Sequence, residues 1–248
     1  MKRWLLAGAF TIGFGALYLS ALAKSQGLPI LREQGGLTAS ARVDGDTLKI
    51  RVLDGGALYS GIVHAYLARK DLAHLYFEYP DETQTGQYSL ALPAMEAGVY
   101  DLIVEITGGG GHEHDNPRFV QVFDLNLIVA AGNAKLEITR RLELQNVAPT
   151  VKAAGQASSF DLTTLLDGKP IAWNPYYVHQ FILKTDWSYF KHDHPKNLRE
   201  LGVGSVRSNF KFPTSGEYVV YQFLETGVRI AGTKLYPVLR LPGVVQIP

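Results

Sequence analysis

Three of the seven histidines are spaced so that one metal ion could contact all of them. His192 and His194 alternate along one segment, and His179 lies on the segment that precedes it. If a β-hairpin turns between Asp186 and Trp187, His179 lies opposite His194. Side chains alternate across a strand, so the three imidazoles then share one face. Three imidazoles with an open coordination position suit Cu(II) or zinc, which predicts a metal site at these histidines.

A second interpretation of the same hairpin needs no metal. The shared face would also carry Phe181, Leu183 and Phe190, which are side chains that a protein core buries. The three histidines would then be packed, hydrogen-bonded residues at the edge of that core. Both interpretations depend on the same strand register, so the sequence leaves both of them open.

Another pair of histidines lies in a glycine-rich segment, where four glycines precede His112 and His114. The neighbouring Glu113 and Asp115 add carboxylates, so this segment could also capture a metal ion. A run of glycines does not hold ligands in place before the ion arrives. We therefore expect a solvated loop, with His112 and His114 as a secondary candidate metal site.

The histidine segment has a counterpart 115 residues upstream that lacks the two alternating histidines. The gap-free alignment joins Asp71–Pro80 to Asp186–Pro195 and His64 to His179. Phe77 and Tyr79 replace the alternating histidines in this upstream copy. Such internal similarity indicates two versions of one structural unit.

Short strand-like segments separated by turn residues occur throughout both units. Thr47–Leu53 alternates apolar and polar side chains, as a half-buried strand should, and Asp54-Gly55-Gly56 ends it. Many such strands without an amphipathic helix predict an all-β protein with two tandem immunoglobulin-like β-sandwich domains. Tyr100 and Tyr218 each follow a glycine at the start of a late strand, which is typical of the tyrosine corner of that fold.

The turn residues place the domain boundaries. A tight turn near residue 132 predicts a hairpin between residues 123–130 and 135–144. The predicted divisions are 1–24 as a membrane anchor or signal peptide, 25–36 as a linker, 37–131 as the first sandwich, 132–150 as a connecting hairpin or linker, and 151–248 as the second sandwich with an extended C-terminal tail.

The N-terminal segment has the charge pattern of a membrane span. Lys2 and Arg3 precede 20 uncharged residues, 4–23, which is enough helix to cross a bilayer core of roughly 30 Å. Ala21-Leu22-Ala23 also fits a signal-peptide cleavage site, so both a cleaved signal and a retained anchor are open. The length of the run favours a single-pass anchor in the inner membrane, with a cytoplasmic N-terminus and the bulk of the chain in the periplasm.

Composition excludes several classes of function. The chain has no cysteine, so it cannot form disulfides, attach a c-type haem, ligate an iron–sulfur cluster or build a blue-copper site. A net charge of +1 gives no electrostatic reason to bind nucleic acid. The sequence has no nucleophile elbow, phosphate-binding loop or His-Glu-x-x-His motif, so we do not expect an enzyme.

Around Asp186–Pro195 the chain resembles a group of small exported bacterial proteins with an immunoglobulin-like or cupredoxin-like sandwich, some of them labelled YtkA-like. Their signature is Asp-Leu-Ser-x-Phe-x-His-x-His-Pro, preceded by a histidine and followed by Pro-x-x-Gly-x-Tyr. The matching residues are Asp186, Ser188, Phe190, His192, His194, Pro195, His179, Pro213, Gly216 and Tyr218. Trp187 replaces the leucine, and the resemblance covers most of residues 150–240. It implies that the first unit is a degenerate copy and that any family metal site lies in the second.

Two functions follow from these observations. The preferred one is a non-catalytic, membrane-anchored interaction or assembly subunit outside the cytoplasm, such as a structural subunit of a membrane protein complex. Its partners would be the bilayer, through residues 4–23, and one or more proteins, and it would need no cofactor. The alternative is a periplasmic metal-handling protein that holds Cu(II) or zinc at His179, His192 and His194.

Overall fold

The structure is a computed structural model that describes residues 30–33, 35–92, 95–108, 117–130, 142–146, 149–170, 178–194, 199–202, 204–224 and 238–248. Every element in these ranges is a strand, which confirms the predicted all-β class. No helix long and apolar enough for a membrane crossing occurs in the described ranges. The predicted anchor and the pair His112 and His114 lie outside them.

The strands of the first half run from Ile30 to Val129. They are β1 (Ile30–Glu33), β2 (Leu37–Asp44), β3 (Thr47–Asp54), β4 (Ala57–Leu58), β5 (Ile62–Arg69), β6 (Leu75–Glu78), β7 (Asp81–Gln84), β8 (Gln87–Ala91), β9 (Gly98–Thr107) and β10 (Phe119–Val129). The sequence predicts a linker over residues 25–36, and within that range residues 30–33 form β1, which pairs with β10.

The strands of the second half run from Leu142 to Ile247. They are β11 (Leu142–Asn146), β12 (Ala157–Leu166), β13 (Lys169–Pro170), β14 (Val178–Lys184), β15 (Phe190–Asp193), β16 (Arg199–Gly202), β17 (Ser205–Lys211), β18 (Gly216–Leu224), β19 (Val238–Arg240) and β20 (Val245–Ile247). β11 pairs with β12 rather than with β10, and residues 132–141 of the predicted hairpin lie outside the described ranges. Both C-terminal strands, β19 and β20, pair with β18.

The strands form four sheets, two in each half. The first outer sheet has the order β2-β3-β8-β7, with β4 beside β3, and the first inner sheet has the order β1-β10-β9-β5-β6. The second inner sheet has the order β15-β14-β18-β19, with β20 beside β18. The second outer sheet has the order β11-β12-β17-β16, with β13 beside β12.

Three apolar cores separate these four sheets. The first joins the two sheets of the first half and includes Leu48, Ile50, Leu102 and Val104. The third joins the two sheets of the second half and includes Phe160, Val206, Ile182 and Val220. The middle core joins the two inner sheets, and its members include Tyr66, Phe77, Ile103, Phe181, Phe190 and Tyr221. Each inner sheet is therefore covered on both faces.

The residue patterns of the strands follow from this layering. β3, in an outer sheet, alternates buried and more exposed side chains, which agrees with the prediction for Thr47–Leu53. In β2, beside it, exposed and half-buried side chains alternate after the buried Leu37. β5, β9 and β14, in the inner sheets, are buried along almost their whole length and are correspondingly apolar. Burial of one Phe or Leu side chain stabilises a fold by about 1.5–3 kcal/mol, so the middle core adds substantially to stability.

The hairpin that carries the histidines has the predicted register. Phe181 pairs with His192 and Leu183 with Phe190, so the turn falls between residues 186 and 187. Trp187 adopts a φ of 62° in this turn. The Asp186 carboxylate accepts a hydrogen bond of 2.9 Å from the backbone N–H of Ser188, which closes the turn locally.

The first half contains the same hairpin. Tyr66 pairs with Phe77, and Leu72 adopts a φ of 58° at the position that corresponds to Trp187. The Asp71 carboxylate accepts a hydrogen bond of 3.0 Å from the N–H of Ala73, as Asp186 does from Ser188. The internal similarity in the sequence therefore corresponds to one repeated local structure.

Both predicted tyrosine corners are also present. The hydroxyl of Tyr100 donates to the carbonyl of Glu96 at 2.8 Å. The hydroxyl of Tyr218 donates to the carbonyl of Thr214 at 2.9 Å. Each bond spans four residues backwards along the chain and fixes the entry to a central inner strand.

Candidate metal centre

The candidate site lies between the two inner sheets, at one end of the middle core. His179 belongs to β14, His192 belongs to the edge strand β15, and His194 follows directly after β15. Phe181 and Phe190, on the same hairpin face, are members of the middle core. The shared face that the sequence predicts is therefore the face that packs on the first inner sheet.

Strand register explains why the three imidazoles converge. The last backbone pair of the hairpin joins Gln180 to Asp193, so His179 and His194 are the next residues outward. Their ring centroids are 4.3 Å apart. The ring of His192 lies 4.6 Å from that of His194 and 5.2 Å from that of His179.

The ligand atoms of His179, His192 and His194 all lie within 4.8 Å of one another. Nδ1 of His179 lies 3.0 Å from Nε2 of His192. Two ligands at about 2.0–2.1 Å from a tetrahedral zinc ion are about 3.3 Å apart, which is close to the distance between these two nitrogens. His179 and His192 are buried, whereas His194 is half-buried and forms the solvent side of the group.

The first half contributes a carboxylate to this site that the sequence interpretation missed. Oε2 of Glu105, on β9, lies 3.2 Å from Nδ1 of His192. The hydroxyl of Tyr66, on β5, donates to the same carboxylate at 2.5 Å and lies 3.0 Å from Nδ1 of His192. Glu105, Tyr66 and the neighbouring His64 are completely buried.

Glu105, His64 and His192 form a second group with metal-binding side chains. His64 and Glu105 are opposite each other in the pairing of β5 with β9, and Nδ1 of His64 lies 4.0 Å from Oε2 of Glu105. His192 belongs to both groups. Its Nε2 side meets His179, and its Nδ1 side meets Glu105.

The two tyrosines beside the site stay protonated at neutral pH. Burial raises the pKa of Tyr66 well above its usual value, and the adjacent Glu105 carboxylate raises it further. Burial also raises the pKa of Tyr79 to about 12, and Glu105 and Glu78 add to this effect. Without a bound metal, both phenols are therefore neutral hydroxyl groups.

Aromatic rings hold the imidazoles in place. Phe77 lies 5.7 Å from the ring of His179 and 6.0 Å from that of His192, measured between centroids. Phe223 packs edge-on against His179 at 5.3 Å. Such apolar surroundings limit water around the nitrogen atoms and strengthen any charge interaction within the group.

One sequence signal could have identified Glu105. It is one of two acids in β9, with Asp101, and it lies between Val104 and Ile106, which are also completely buried. Acids are almost never fully buried without a partner, so such a position predicts a polar partner on a facing element.

Asp193 does not belong to the histidine group. The hairpin register places it on the opposite face, where it forms an ion pair with Lys191 at 2.8 Å.

No protein-family model matches the chain, and no curated protein sequence does. Among solved structures, the chain is similar to FdeC, a broadly conserved Escherichia coli adhesin, with a TM-score of 0.26 and 16% sequence identity. The match covers 84% of this chain and 65% of the adhesin chain, so the chain spans just under two thirds of that protein's length. At this TM-score the similarity carries no argument about function.

Proposed function

We propose that the chain is a non-catalytic, extracytoplasmic metal-binding protein that holds one Cu(II) or zinc ion at His179, His192 and His194. The observation that carries this proposal is the convergence of the three ligand atoms within 4.8 Å of one another. The proposed architecture is two tandem immunoglobulin-like sandwiches behind a membrane anchor at residues 4–23. The proposed relationship to the YtkA-like proteins rests on the same histidine hairpin.

The first half supports a binding role over simple packing. At the positions of His192 and His194, its equivalent hairpin has Phe77 and Tyr79. Aromatic side chains therefore suffice for this hairpin to pack, and burying imidazole nitrogens instead requires hydrogen-bond partners. Replacing aromatics by histidines at two alternate positions adds ligand capacity that packing does not need.

The donor set favours particular metals. Three imidazole nitrogens suit Cu(II) and zinc, whereas Cu(I) prefers thiolates and thioethers. The chain has no cysteine and only two methionines, Met1 and Met95, so its sulfur ligands are few. Of the three histidines His194 is the most exposed, although its Nε2 atom is itself buried, and a fourth ligand such as water would come from outside these residues.

A titration of the full-length chain in mild detergent tests the proposal. We expect one Cu(II) or zinc ion per chain with a sub-micromolar dissociation constant, measured by competition against a chromophoric chelator. The variants His192→Ala and His194→Ala should lose this binding. Two control variants should retain this binding: His74→Ala, in the β5–β6 turn, and His112→Ala. Retention in both would show that binding depends on the three proposed ligands and not on histidines in general. If no saturable binding occurs and His192→Ala only lowers the melting temperature, the histidines have a packing role.

A second candidate function is that of a membrane-anchored interaction or assembly subunit. The uncharged run of residues 4–23 after Lys2 and Arg3 favours it, because an anchor keeps a binding module at one membrane. We expect the native anchored protein to migrate with a larger membrane assembly on blue native gels. Recovery only as a lone monomer from mild detergent would count against this role, and a variant with the anchor replaced by a cleavable signal is the control.

A further inference from the structure

The hydrogen bonds of His192 cross from one half of the chain to the other. Its Nδ1 faces Oε2 of Glu105 at 3.2 Å and the hydroxyl of Tyr66 at 3.0 Å, both from the first inner sheet. Its Nε2 faces Nδ1 of His179 at 3.0 Å, within the second inner sheet. One imidazole therefore connects a buried carboxylate with the group of candidate ligands.

We propose that Glu105 and Tyr66 are positioning residues for His192, so that the first half completes the metal site of the second. This inference rests on the proposed metal-binding function. A carboxylate that accepts the second N–H of a ligating histidine fixes its tautomer and ring orientation and raises its basicity. Glu105 has the geometry of such a partner.

The positions of the protons follow from the hydrogen-bond geometry. The Tyr66 hydroxyl donates its single proton to Glu105, so the hydroxyl oxygen and the carboxylate are both acceptors towards His192. Nδ1 of His192 then carries the proton, and the lone pair of Nε2 points at His179 and the metal position. Without metal, His179 donates to that lone pair. A bound ion would be held by His192 Nε2 in place of this proton, which would pass to solvent.

This arrangement links metal binding to the packing of the two inner sheets. The first half holds the ligand in its binding tautomer only while Glu105 and Tyr66 are packed against His192. By linkage, an ion bound at His192 also stabilises the interface through the middle core. A metal site confined to the second hairpin would have no such dependence.

The tautomer of His192 tests the positioning role without any metal. In the metal-free full-length protein labelled with ¹⁵N-histidine, we expect His192 to be protonated at Nδ1 and not at Nε2. Glu105→Gln combined with Tyr66→Phe should shift this population towards the Nε2–H tautomer. Tyr66→Phe keeps the ring that packs on Phe181, so the middle core is preserved. An unchanged tautomer in the double variant would overturn the proposal.

Metal affinity gives the second measurement. Loss of such an outer partner typically weakens metal binding about 10–100-fold, so Glu105→Gln should raise the dissociation constant by at least about tenfold. Glu217→Gln, at an exposed residue near the start of β18, is the matched control and should leave affinity unchanged. Wild-type affinity in Glu105→Gln at an unchanged melting temperature would overturn the positioning role.

Stoichiometry distinguishes positioning from direct ligation. Two ions per wild-type chain, one of them lost in both Glu105→Gln and His64→Ala, would make Glu105 a ligand of a second ion and overturn the proposal. If the wild-type chain binds no metal, the proposed function fails, and the tautomer measurement still decides whether Glu105 and Tyr66 orient His192. The two hypotheses are therefore distinguishable.

Discussion

The hydroxyl of Tyr66 lies 3.0 Å from Nδ1 of His192, although the two residues belong to different halves of the chain. Tyr66 occupies the position in the first hairpin that Phe181 occupies in the second. At this position the first half differs from its copy by one hydroxyl, which contacts the candidate metal ligand. Two diverged copies of one hairpin together form a polar site that neither contains alone.

The middle core should contribute strongly to stability. Phe77 is 5% exposed and packs against Tyr66 and Phe181, each at 5.1 Å between ring centroids. Phe77→Ala should lower the free energy of unfolding by about 3–5 kcal/mol, because it leaves a cavity between the inner sheets. Urea denaturation measures this change. Ile128→Ala, at a residue 72% exposed, should change it by less than about 0.5 kcal/mol.

Metal binding should stabilise the chain, and the stabilisation should grow with the logarithm of the free metal concentration above the dissociation constant. At a free Cu(II) or zinc concentration 100-fold above the dissociation constant, the stabilisation should be about 2.7 kcal/mol. Differential scanning fluorimetry of wild type should therefore show a rise in melting temperature that grows with metal concentration. His194→Ala should show no rise, and an equal rise in that variant would place the ion elsewhere.

Stability should fall as pH rises from about 4 to 6 because of Asp101. Burial raises the pKa of this carboxyl from 3.8 to about 6, although Lys70 at 3.5 Å favours its charge. The folded state therefore keeps a proton that the unfolded state has already lost, and folding becomes less favourable across this range. Asp101→Asn should flatten the profile of unfolding free energy against pH.

Asp124 takes part in this titration, because its charge contributes to the raised pKa of Asp101. The ion pair with Lys70 at 3.1 Å lowers the pKa of Asp124 against the opposing effect of burial. The stability that Asp124 contributes is therefore lost only as pH falls below about 4. The charged Asp124 carboxylate also raises the pKa of Asp101, so Asp124→Asn should reduce the fall between pH 4 and 6. Part of the fall should remain, because burial is the largest cause of the raised pKa of Asp101, and complete loss of the fall in this variant would contradict the assignment to Asp101.

The two tyrosine corners should contribute similar amounts of stability. Tyr100→Phe and Tyr218→Phe each remove one hydroxyl bond to a backbone carbonyl and leave the ring in its core. Each should cost about 0.5–1.5 kcal/mol of unfolding free energy in chemical denaturation. Tyr79→Phe, at a residue 45% exposed, should cost less than either. If only one of the variants Tyr100→Phe and Tyr218→Phe lowers the unfolding free energy, the two corners are not equivalent.

The local features were predictable because they depend on neighbours in the sequence. The gap-free similarity of Asp71–Pro80 to Asp186–Pro195 predicts two equal hairpins, and both have the predicted register. Alternation then places His179, His192 and His194 on one face without further information. The all-β class follows from the same short-range patterns.

Only the tertiary structure decided what that face meets. Glu105 and His192 are 87 residues apart, and no period or turn relates them. Their contact depends on two inner sheets packing through a middle core, where each sheet is buried on both faces. Side-chain alternation along a strand shows that a face is apolar, but it does not show which other sheet covers that face. Many different sheets could bury the same apolar area. The sequence by itself therefore determined three converging imidazoles, and the packing of the sheets added the carboxylate and the hydroxyl beside them.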